Sequence, residues 1–569
     1  MTTAATTTGR DVLRGAIAGQ RGPVALAAVL AAAHQGGEAL VPVVIGVVLD
    51  RAVAGSTGGT GSPVLTLAAW LAVLGGVFLV LSFSYRWGAR AAERASERAA
   101  HDLRLRLGRR VLDPRGGAET GALTGELASV GTSDARRVGL VGAALPFGFS
   151  ALAGLVVSAV VLLRMSVPLG LLVLLGTPPL LYLAHLVGKP LERRSEVEQE
   201  RAARASGVAA DLVAGLRVLK GLGAEPAAVA RYRGRSQDSL RATVRAARAQ
   251  AWHNGALLAL TGVFIALVAL VGGRLAAHGE ITVGDLVAAV GLAQFLQTPF
   301  SIFAWVNGQL AQGRASAGRV AAVLNAPPAV PGGTAGLPSP AAGRVELRGL
   351  THGKLHGLDL TVAPGELLGV VTTDPAAATD LLDCLGRFTD PAAGAVRVDA
   401  ADLSTVDPDR VREVVLVAAH DAGLFEGTVE ENVRAGAAVL PEGVLAAAAA
   451  DEVAGTLPAG VATVLTERGR SLSGGQRQRV ALARALARDA PVLVLHDPTT
   501  AVDTVTEARI AGGVARLRRG RTTIVITTSP ALLAVAGRVV LLEDGRVVAE
   551  GEHAGLVRER ADYRAAVLS

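Results

Sequence analysis

The chain has 569 residues, half of them hydrophobic and only 18% charged, with a mean hydropathy of +0.42. At about 150 residues per domain that length holds roughly two to four domains, and the composition excludes both a disordered chain and an ordinary soluble enzyme, so much of the chain is expected in lipid. Lys+Arg 56 against Asp+Glu 49 leaves a net charge of +7, and one cysteine, Cys384, excludes an internal disulfide framework and a Cys-cluster metal site.

Residues 1–20 carry Arg10 and Arg14 on a polar, Ala/Thr-rich stretch, and the apolar run after them is too long for the h-region of a cleavable signal peptide. The chain starts too close to that run to hold an N-terminal processing peptidase, so leader-peptide cleavage by this subunit is not expected. From Pro23 onward six apolar runs follow, at 23–49, 64–85, 138–163, 167–188, 255–275 and 283–306. Each is near the ~20 residues that cross a ~30 Å hydrocarbon layer. The gaps 86–137 and 189–254 are long, charged and rich in helix-favouring Ala, Glu and Arg.

Arg86, Arg90, Arg94, Arg98, Arg104 and Arg106 crowd the first gap, and Lys189, Arg193, Arg194, Arg201 and Arg204 the second. The opposite loops hold little beyond Arg51, Arg164 and Arg274. The positive-inside bias therefore puts both long gaps and both termini in the cytoplasm, in a multi-pass protein of the inner (cytoplasmic) membrane. The basic runs read as solvated helix faces attracted to anionic membrane lipid, and no nucleic-acid partner is expected.

Polar groups inside the spans need an account, because a charge at bilayer depth costs ~3 kcal/mol or more without a cavity or partner. Glu38 and His34 share one face of the first span, where they line a substrate path or pair with each other or with a neighbouring helix. Gln294, Gln297 and Asn307 share part of a face in the sixth, and bundle-internal hydrogen bonds explain them as well as ligand contacts do. Nothing in these runs names a substrate.

Residues 326–343, APPAVPGGTAGLPSPAAG, combine Pro and Gly as an exposed linker does and separate a domain over 1–325 from one over 344–569. Beyond the linker short β-branched runs alternate with Ala-rich helical stretches. Strands are expected at 344–348, 358–362, 367–372, 395–398, 414–418, 491–495, 522–527 and 538–542, which implies an α/β domain with a mostly parallel sheet.

The most informative string is SLSGGQRQR at 471–479, before an Ala/Arg helix and the strand VLVL. A Ser-Gly-Gly turn opening a helix presents backbone amides, a hydroxyl and the positive end of the helix dipole to an anion, whereas a simple helix cap needs only one such residue. In that context the string resembles the signature motif of the ATP-binding cassette (ABC) family. The resemblance extends along the chain: 120–134 and 211–225 are similar to the two intracellular loops of exporter-fold ABC transporters, and 279–300 to the start of their sixth transmembrane helix. It implies a half-transporter, six transmembrane helices fused to an α/β P-loop-NTPase-like nucleotide-binding domain. Such halves work as dimers with ATP and Mg²⁺.

The chain departs from that family at one set of positions. A phosphate-binding loop needs glycines, a Lys on the β and γ phosphates and a Ser or Thr on Mg²⁺. Alignment on PGE at 364–366 puts this loop at 372–380, TTDPAAATD, from Thr372 through Asp380. Ala378 replaces the lysine, Thr379 is the one hydroxyl kept, and Asp374 and Asp380 bring negative charge. The family's Mg²⁺-coordinating Asp falls on His496, its catalytic Glu on Asp497, its Gln on His420, its switch His on Thr528, and its adenine-stacking aromatic on Lys354. Losing one charge-assisted contact costs ~1.5–3 kcal/mol. Little or no ATP binding by this loop is expected.

Ser473, Gly474, Gly475 and Gln476 are intact, as are Glu467-Arg468-Gly469 and Thr500-Ala501-Val502-Asp503. In cassette dimers each ATP lies between the Walker loop of one chain and the signature of the other. The resemblance therefore implies the degenerate subunit of a heterodimer, with ATP and Mg²⁺ held mainly by a second half-transporter with intact Walker motifs, and export of a small molecule, drug, lipid or peptide. A siderophore or metabolite importer of the same fold and a non-transporting pseudo-ATPase regulator are the alternatives.

Overall fold

In hydrocarbon a backbone satisfies its own N–H and C=O groups only within the segment or a closed barrel, so long Ala/Leu/Val runs become helices. The computed structural model describes residues 6–55, 63–119, 124–420, 423–434 and 440–568. Among them six helical segments are long and apolar enough to cross a membrane: Arg21–Arg51, Leu67–Val111, Gly125–Met165, Val167–Ala214, Glu225–Ala277 and Val283–Leu324. Their most apolar windows are only 11–39% buried within the protein, so the outward faces remain apolar, as a lipid-solvated surface requires.

The chain divides into two units, Met1–Gly108 with Gly125–Asn325, and Arg109–Thr124 with Ala326–Ser569. The first unit is helical: α1 (Gly9–Ala18), α2 (Arg21–Gly55), α3 (Pro63–Val111), α4 (Thr124–Ser129), α5 (Ala135–Met165), α6 (Val167–Ala214), α7 (Leu216–Leu222), α8 (Glu225–Ala277), α9 (Val283–Phe295) and α10 (Gln297–Leu324). Helices α3, α6 and α8 have 49, 48 and 53 residues. At 1.5 Å per residue each reaches roughly 70–80 Å, more than twice the hydrocarbon thickness. Their charged portions account for the two long basic gaps.

Helix α2 packs along α5 and α9, α10 along α5, and α6 along α8. Leu162, Leu169, Val173, Val268, Leu292 and Leu296 form the buried centre. Where α2 meets α9 the contact is backbone on backbone: a Cβ on Gly284 would lie 2.1 Å from the Gly46 carbonyl oxygen. Asp50 of α2 accepts from the Thr282 hydroxyl at 2.6 Å and the Gly284 amide at 2.8 Å, capping α9 across the contact. Buried Asp134, just before α5, takes a two-pronged ion pair from Arg319 of α10 (2.8 and 2.6 Å) and the Ser316 hydroxyl (2.9 Å).

The second unit has strands β1 (Val345–His352), β2 (Leu355–Val362), β3 (Leu367–Thr372), β4 (Ala393–Val398), β5 (Ala401–Asp402), β6 (Val415–Ala418), β7 (Gly427–Thr428), β8 (Val464–Leu465), β9 (Val492–His496), β10 (Thr522–Ile526), β11 (Arg538–Glu543) and β12 (Arg546–Gly551). Its helices include α11 (Pro375–Leu385), α12 (Pro408–Val414), α13 (Val429–Arg434), α14 (Val444–Ala447), α15 (Ala450–Thr456), α16 (Gly474–Ala487) and α17 (Thr504–Leu517). A six-stranded sheet in the order β12-β11-β3-β10-β9-β6 is parallel except for β12. Its strands β3, β9 and β10 are covered on both faces, which is why they read as unbroken apolar runs.

The six-stranded sheet is the mostly parallel sheet that the strand and helix alternation implies, and β2-β1-β4-β5 form a second, antiparallel sheet. Only Gly353 and Lys354 separate β1 from β2, and a connection that short permits only an antiparallel hairpin. The 326–343 stretch lacks helices and, but for one bridge between Ala335 and Val406, strands, yet it is not a loose tether. Val330 is fully buried, Ala335 donates to Thr405 O, and the buried Arg387 guanidinium clamps Pro331 O and Ser404 O at 2.8 Å and also bonds Val406 O.

Candidate functional site

The carboxyl ends of β3, β9 and β10, where ligands bind in open α/β sheets, carry most of the positions singled out in sequence. Only Thr373 and Asp374 lie between β3 and α11. The stretch aligned as a phosphate loop is therefore not a loop: after Thr372 and two residues, Pro375 opens a helix that already contains Ala378, Thr379 and Asp380. Asp at the N-cap and Pro at the first helical position are helix-start signals, and they override the family spacing.

The polar groups of this stretch bond to one another. The Asp374 carboxylate accepts the Ala376 amide at 2.9 Å, Pro375 has no amide proton, and the Ala378 amide goes to Asp374 O. The Thr379 hydroxyl donates back to Pro375 O at 2.9 Å, and the Ala378 methyl is buried in the core. The Asp380 carboxylate accepts the Lys354 amide at 2.7 Å, fixing the β1–β2 turn. Burial first, and then Asp380, pushes the Asp383 carboxyl above its usual range. Burial likewise pushes the Cys384 thiol up to about 12, which leaves it an inert apolar filler. A Mg-triphosphate does not fit these residues: the helix terminus is capped by the Asp374 carboxylate, and buried Ala378 stands at the position aligned with the lysine.

His496 ends β9, with its ring edge-on to His420 at 5.2 Å between centroids and its Nε2 3.7 Å from Asp497 Oδ2. Burial, partly offset by Asp497 and reinforced by His420, holds the His496 imidazole below its ordinary value, so it is neutral near pH 7. Asp497 has φ 44°, an uncommon conformation for a non-glycine residue. Thr528 is exposed just beyond β10. His420 and His496, with Gln478 and Arg484, also line a cavity of about 390 Å³ between the strand ends and α16.

The Ser-Gly-Gly string opens α16. Ser473 and Gln476 form a complete capping box: Ser473 Oγ accepts the Gln476 amide at 3.3 Å and Gln476 Oε1 the Ser473 amide at 2.8 Å. The capping role weighed against phosphate binding is thus fulfilled, while Ser473 and Gly474 stay exposed at the terminus of a 14-residue helix. Gly475 is required by packing, since its Cβ would stand 2.4 Å from Ala501 O. Gln478, not singled out in sequence, holds the same turn, donating to the Thr500 hydroxyl (2.6 Å) and accepting from the Ala501 amide (2.8 Å). Its place one helical turn after the glycines was the available signal.

In the first unit His34, Glu38 and Gln294 line one cavity of about 680 Å³, whereas Gln297 accepts from the Thr261 hydroxyl of α8 at 3.4 Å. His34 and Glu38 do not pair: His34 Nδ1 donates to Leu81 O at 3.0 Å and Glu38 accepts from the Gln35 amide at 3.1 Å. Gln35, 4% exposed, was missed, although its spacing of three from Glu38 places it on the same helical face. Residues 120–123 of the first intracellular-loop motif lie outside the described residues.

Comparison with known proteins gives one picture. The family model of the ABC transporter transmembrane region matches residues 24–300 and that of the ABC transporter matches 355–500. A multidrug efflux ATP-binding/permease protein of Mycobacterium tuberculosis is 31% identical over 526 residues, 90% of this chain and 43% of that protein. An ATP-dependent lipid A-core flippase of Chromobacterium violaceum is 30% identical over 406 residues, 69% of each chain. The mitochondrial potassium channel ATP-binding subunit of Pongo abelii is 31% identical over 422 residues, 70% of this chain and 58% of that one. The chain thus spans less than half the length of the mycobacterial relative.

Proposed function

Because the chain belongs to the ABC transporter family, as a half-transporter of exporter fold, we propose that it is the catalytically degenerate half of a heterodimer. The observation that carries this reading is the contrast between two helix termini of one cassette. The α11 terminus, where the family holds the triphosphate, is capped by Asp374 and has Ala378 in place of lysine. The α16 terminus keeps the full signature, with Ser473 and Gly474 exposed.

A partner half with intact Walker residues would supply the phosphate loop, the Mg²⁺ ligands and the base. This chain contributes the signature stretch Ser473, Gly474, Gly475 and Gln476, in which the Ser473–Gln476 capping box fixes the turn and the Ser473 hydroxyl with the Gly474 and Gly475 amides at the helix N-terminus would stabilise charge on the γ-phosphoryl group. In this reading hydrolysis at that composite site drives export of a small molecule, drug, lipid or peptide across the inner membrane, with the cassette and both termini cytoplasmic. The cavity holding His34, Glu38 and Gln294 is the candidate substrate path.

The test is ATPase activity of the purified chain alone and of the pair co-expressed with an intact half. The chain alone is expected at background. In the pair, Ser473→Arg removes activity by at least a hundredfold while Thr379→Ala changes it less than twofold. Equal losses from the two substitutions, or robust turnover by the chain alone, would overturn the reading.

A further inference from the structure

We propose that His420 and His496 form a two-imidazole site for a divalent transition metal of the Zn²⁺ type, filled without nucleotide. The sheet builds the pair. Strands β6 and β9 are parallel neighbours with Ala418 opposite Leu495, so His420 and His496 leave adjacent strand ends within reach of each other. These are the two positions that align with the family's Mg²⁺-coordinating Asp and its Gln, and both oxygen donors have become nitrogens. Imidazole suits Zn²⁺, Cu²⁺ or Ni²⁺, whereas Mg²⁺ is held by oxygen. The change of donor therefore moves the preference to another class of ion.

The spacing suits one shared ion. Two imidazoles on a tetrahedral ion, each bonded at about 2.0–2.1 Å, hold their ring centroids roughly 5 Å apart, and here the centroids are 5.2 Å apart. The rings meet nearly edge-on, at 84°. Histidine's χ2 torsion is broad, so the exposed His420 ring can turn a nitrogen towards its neighbour without backbone movement. Neither imidazole makes a hydrogen bond to a described residue: His496 Nε2 stands 3.7 Å from Asp497 Oδ2, beyond hydrogen-bond range. Both keep a nitrogen for a metal.

The surroundings admit a cation and leave it partly open. Both rings line the cavity of about 390 Å³, which has room for an ion and its waters. The Asp497 carboxylate supplies negative charge close by. Arg484 is held elsewhere on the same wall, with Nη1 on Gly423 O at 3.0 Å and its guanidinium over the Phe425 ring, and Arg488 has a partner of its own. Among the described residues no group of three or more His, Cys, Asp or Glu side chains is set to hold a metal, so water completes the shell. Such an ion ties the ends of β6 and β9 together independently of ATP.

The experiment titrates Zn²⁺ into the untagged full chain in phosphatidylcholine nanodiscs, stripped with chelator and free of nucleotide, with calorimetric detection and empty nanodiscs as background. One saturable equivalent per chain is expected, not displaced by a large excess of Mg²⁺, and Cu²⁺ at the same site should show hyperfine coupling to two nitrogens. His420→Gln and His496→Gln should each weaken Zn²⁺ at least tenfold, while His278→Gln, which removes another exposed imidazole, should leave it within twofold. Absent Zn²⁺ binding, displacement by Mg²⁺, a loss in His278→Gln as large as in the pair, or wild-type affinity in either His420→Gln or His496→Gln would overturn the proposal. If His496→Gln fails to fold, the exposed His420 position and the Cu²⁺ spectrum decide by themselves. Neither nucleotide nor partner enters this measurement, so its failure leaves the division of labour between cassettes standing, and failure of the ATPase test leaves this result standing.

Discussion

Asp374 gives the α11 terminus a resident anion. An acidic N-cap stabilises a helix by about 1 kcal/mol, and the same amides and dipole end are what a phosphate would use. The residue that strengthens the fold therefore opposes the ligand at the same atoms, which makes loss of the lysine only part of the change. His496 is a second case in which environment decides chemistry. Burial is the main cause holding its pKa below the ordinary ~6.5, with Asp497 opposing and His420 reinforcing. The unfolded chain then binds more protons than the folded one just below pH 6.5, so this group's contribution is intact above that pH and declines as the pH falls from 6.5 towards the lowered folded value. Thermal unfolding of the purified chain between pH 7.5 and 5 should lose stability more steeply in wild type than in His496→Asn, which cannot titrate. Parallel curves would show that this imidazole is not penalised in the fold.

Among the elements, the α2–α9 pair is sharply constrained, its backbones touching at Gly46 and Gly284 and its polar clasp being Asp50. Gly284→Ala puts a methyl group where a carbonyl oxygen stands, and overpacking of this kind costs ~1–3 kcal/mol. A lower melting temperature in detergent is expected, with a smaller change for Gly273→Ala on α8, where a Cβ meets nothing within 4 Å. Equal effects at the two positions would remove the tight contact as a determinant. The legibility of elements follows the same physics. The six spans and the eight strands β1, β2, β3, β4, β6, β9, β10 and β11 were readable because each carries a continuous or periodic apolar run. The two-residue strands β5, β7 and β8 have too few residues for any period, and β12, RVVAEG, alternates exposed and half-buried positions without burying any. Family spacing misplaced the start of α11, although Asp374-Pro375 spelled a helix start locally. Glu38 was readable as an anomaly in an apolar run, but that its partner is Gln35 and not His34 required three dimensions.

At the scale of the whole molecule, the proposed division of labour means that two identical copies would build two defective nucleotide sites and a mixed pair would build one sound site. The number of nucleotides trapped per dimer therefore reads the asymmetry directly. If the co-expressed pair is arrested after closure by replacing the partner's catalytic base with its amide, or by vanadate, close to one ATP or ADP equivalent should remain tightly held per heterodimer after gel filtration. Ser473→Arg in this chain should bring that value towards zero, because the retained nucleotide needs the signature donors, whereas Asp374→Asn should leave it unchanged. Removing the carboxylate charge restores neither a lysine nor a glycine loop. Two equivalents per pair, or a value that falls with Asp374→Asn and not with Ser473→Arg, would mean that the α11 terminus holds nucleotide after all, and the division between the two helix termini would have to be abandoned.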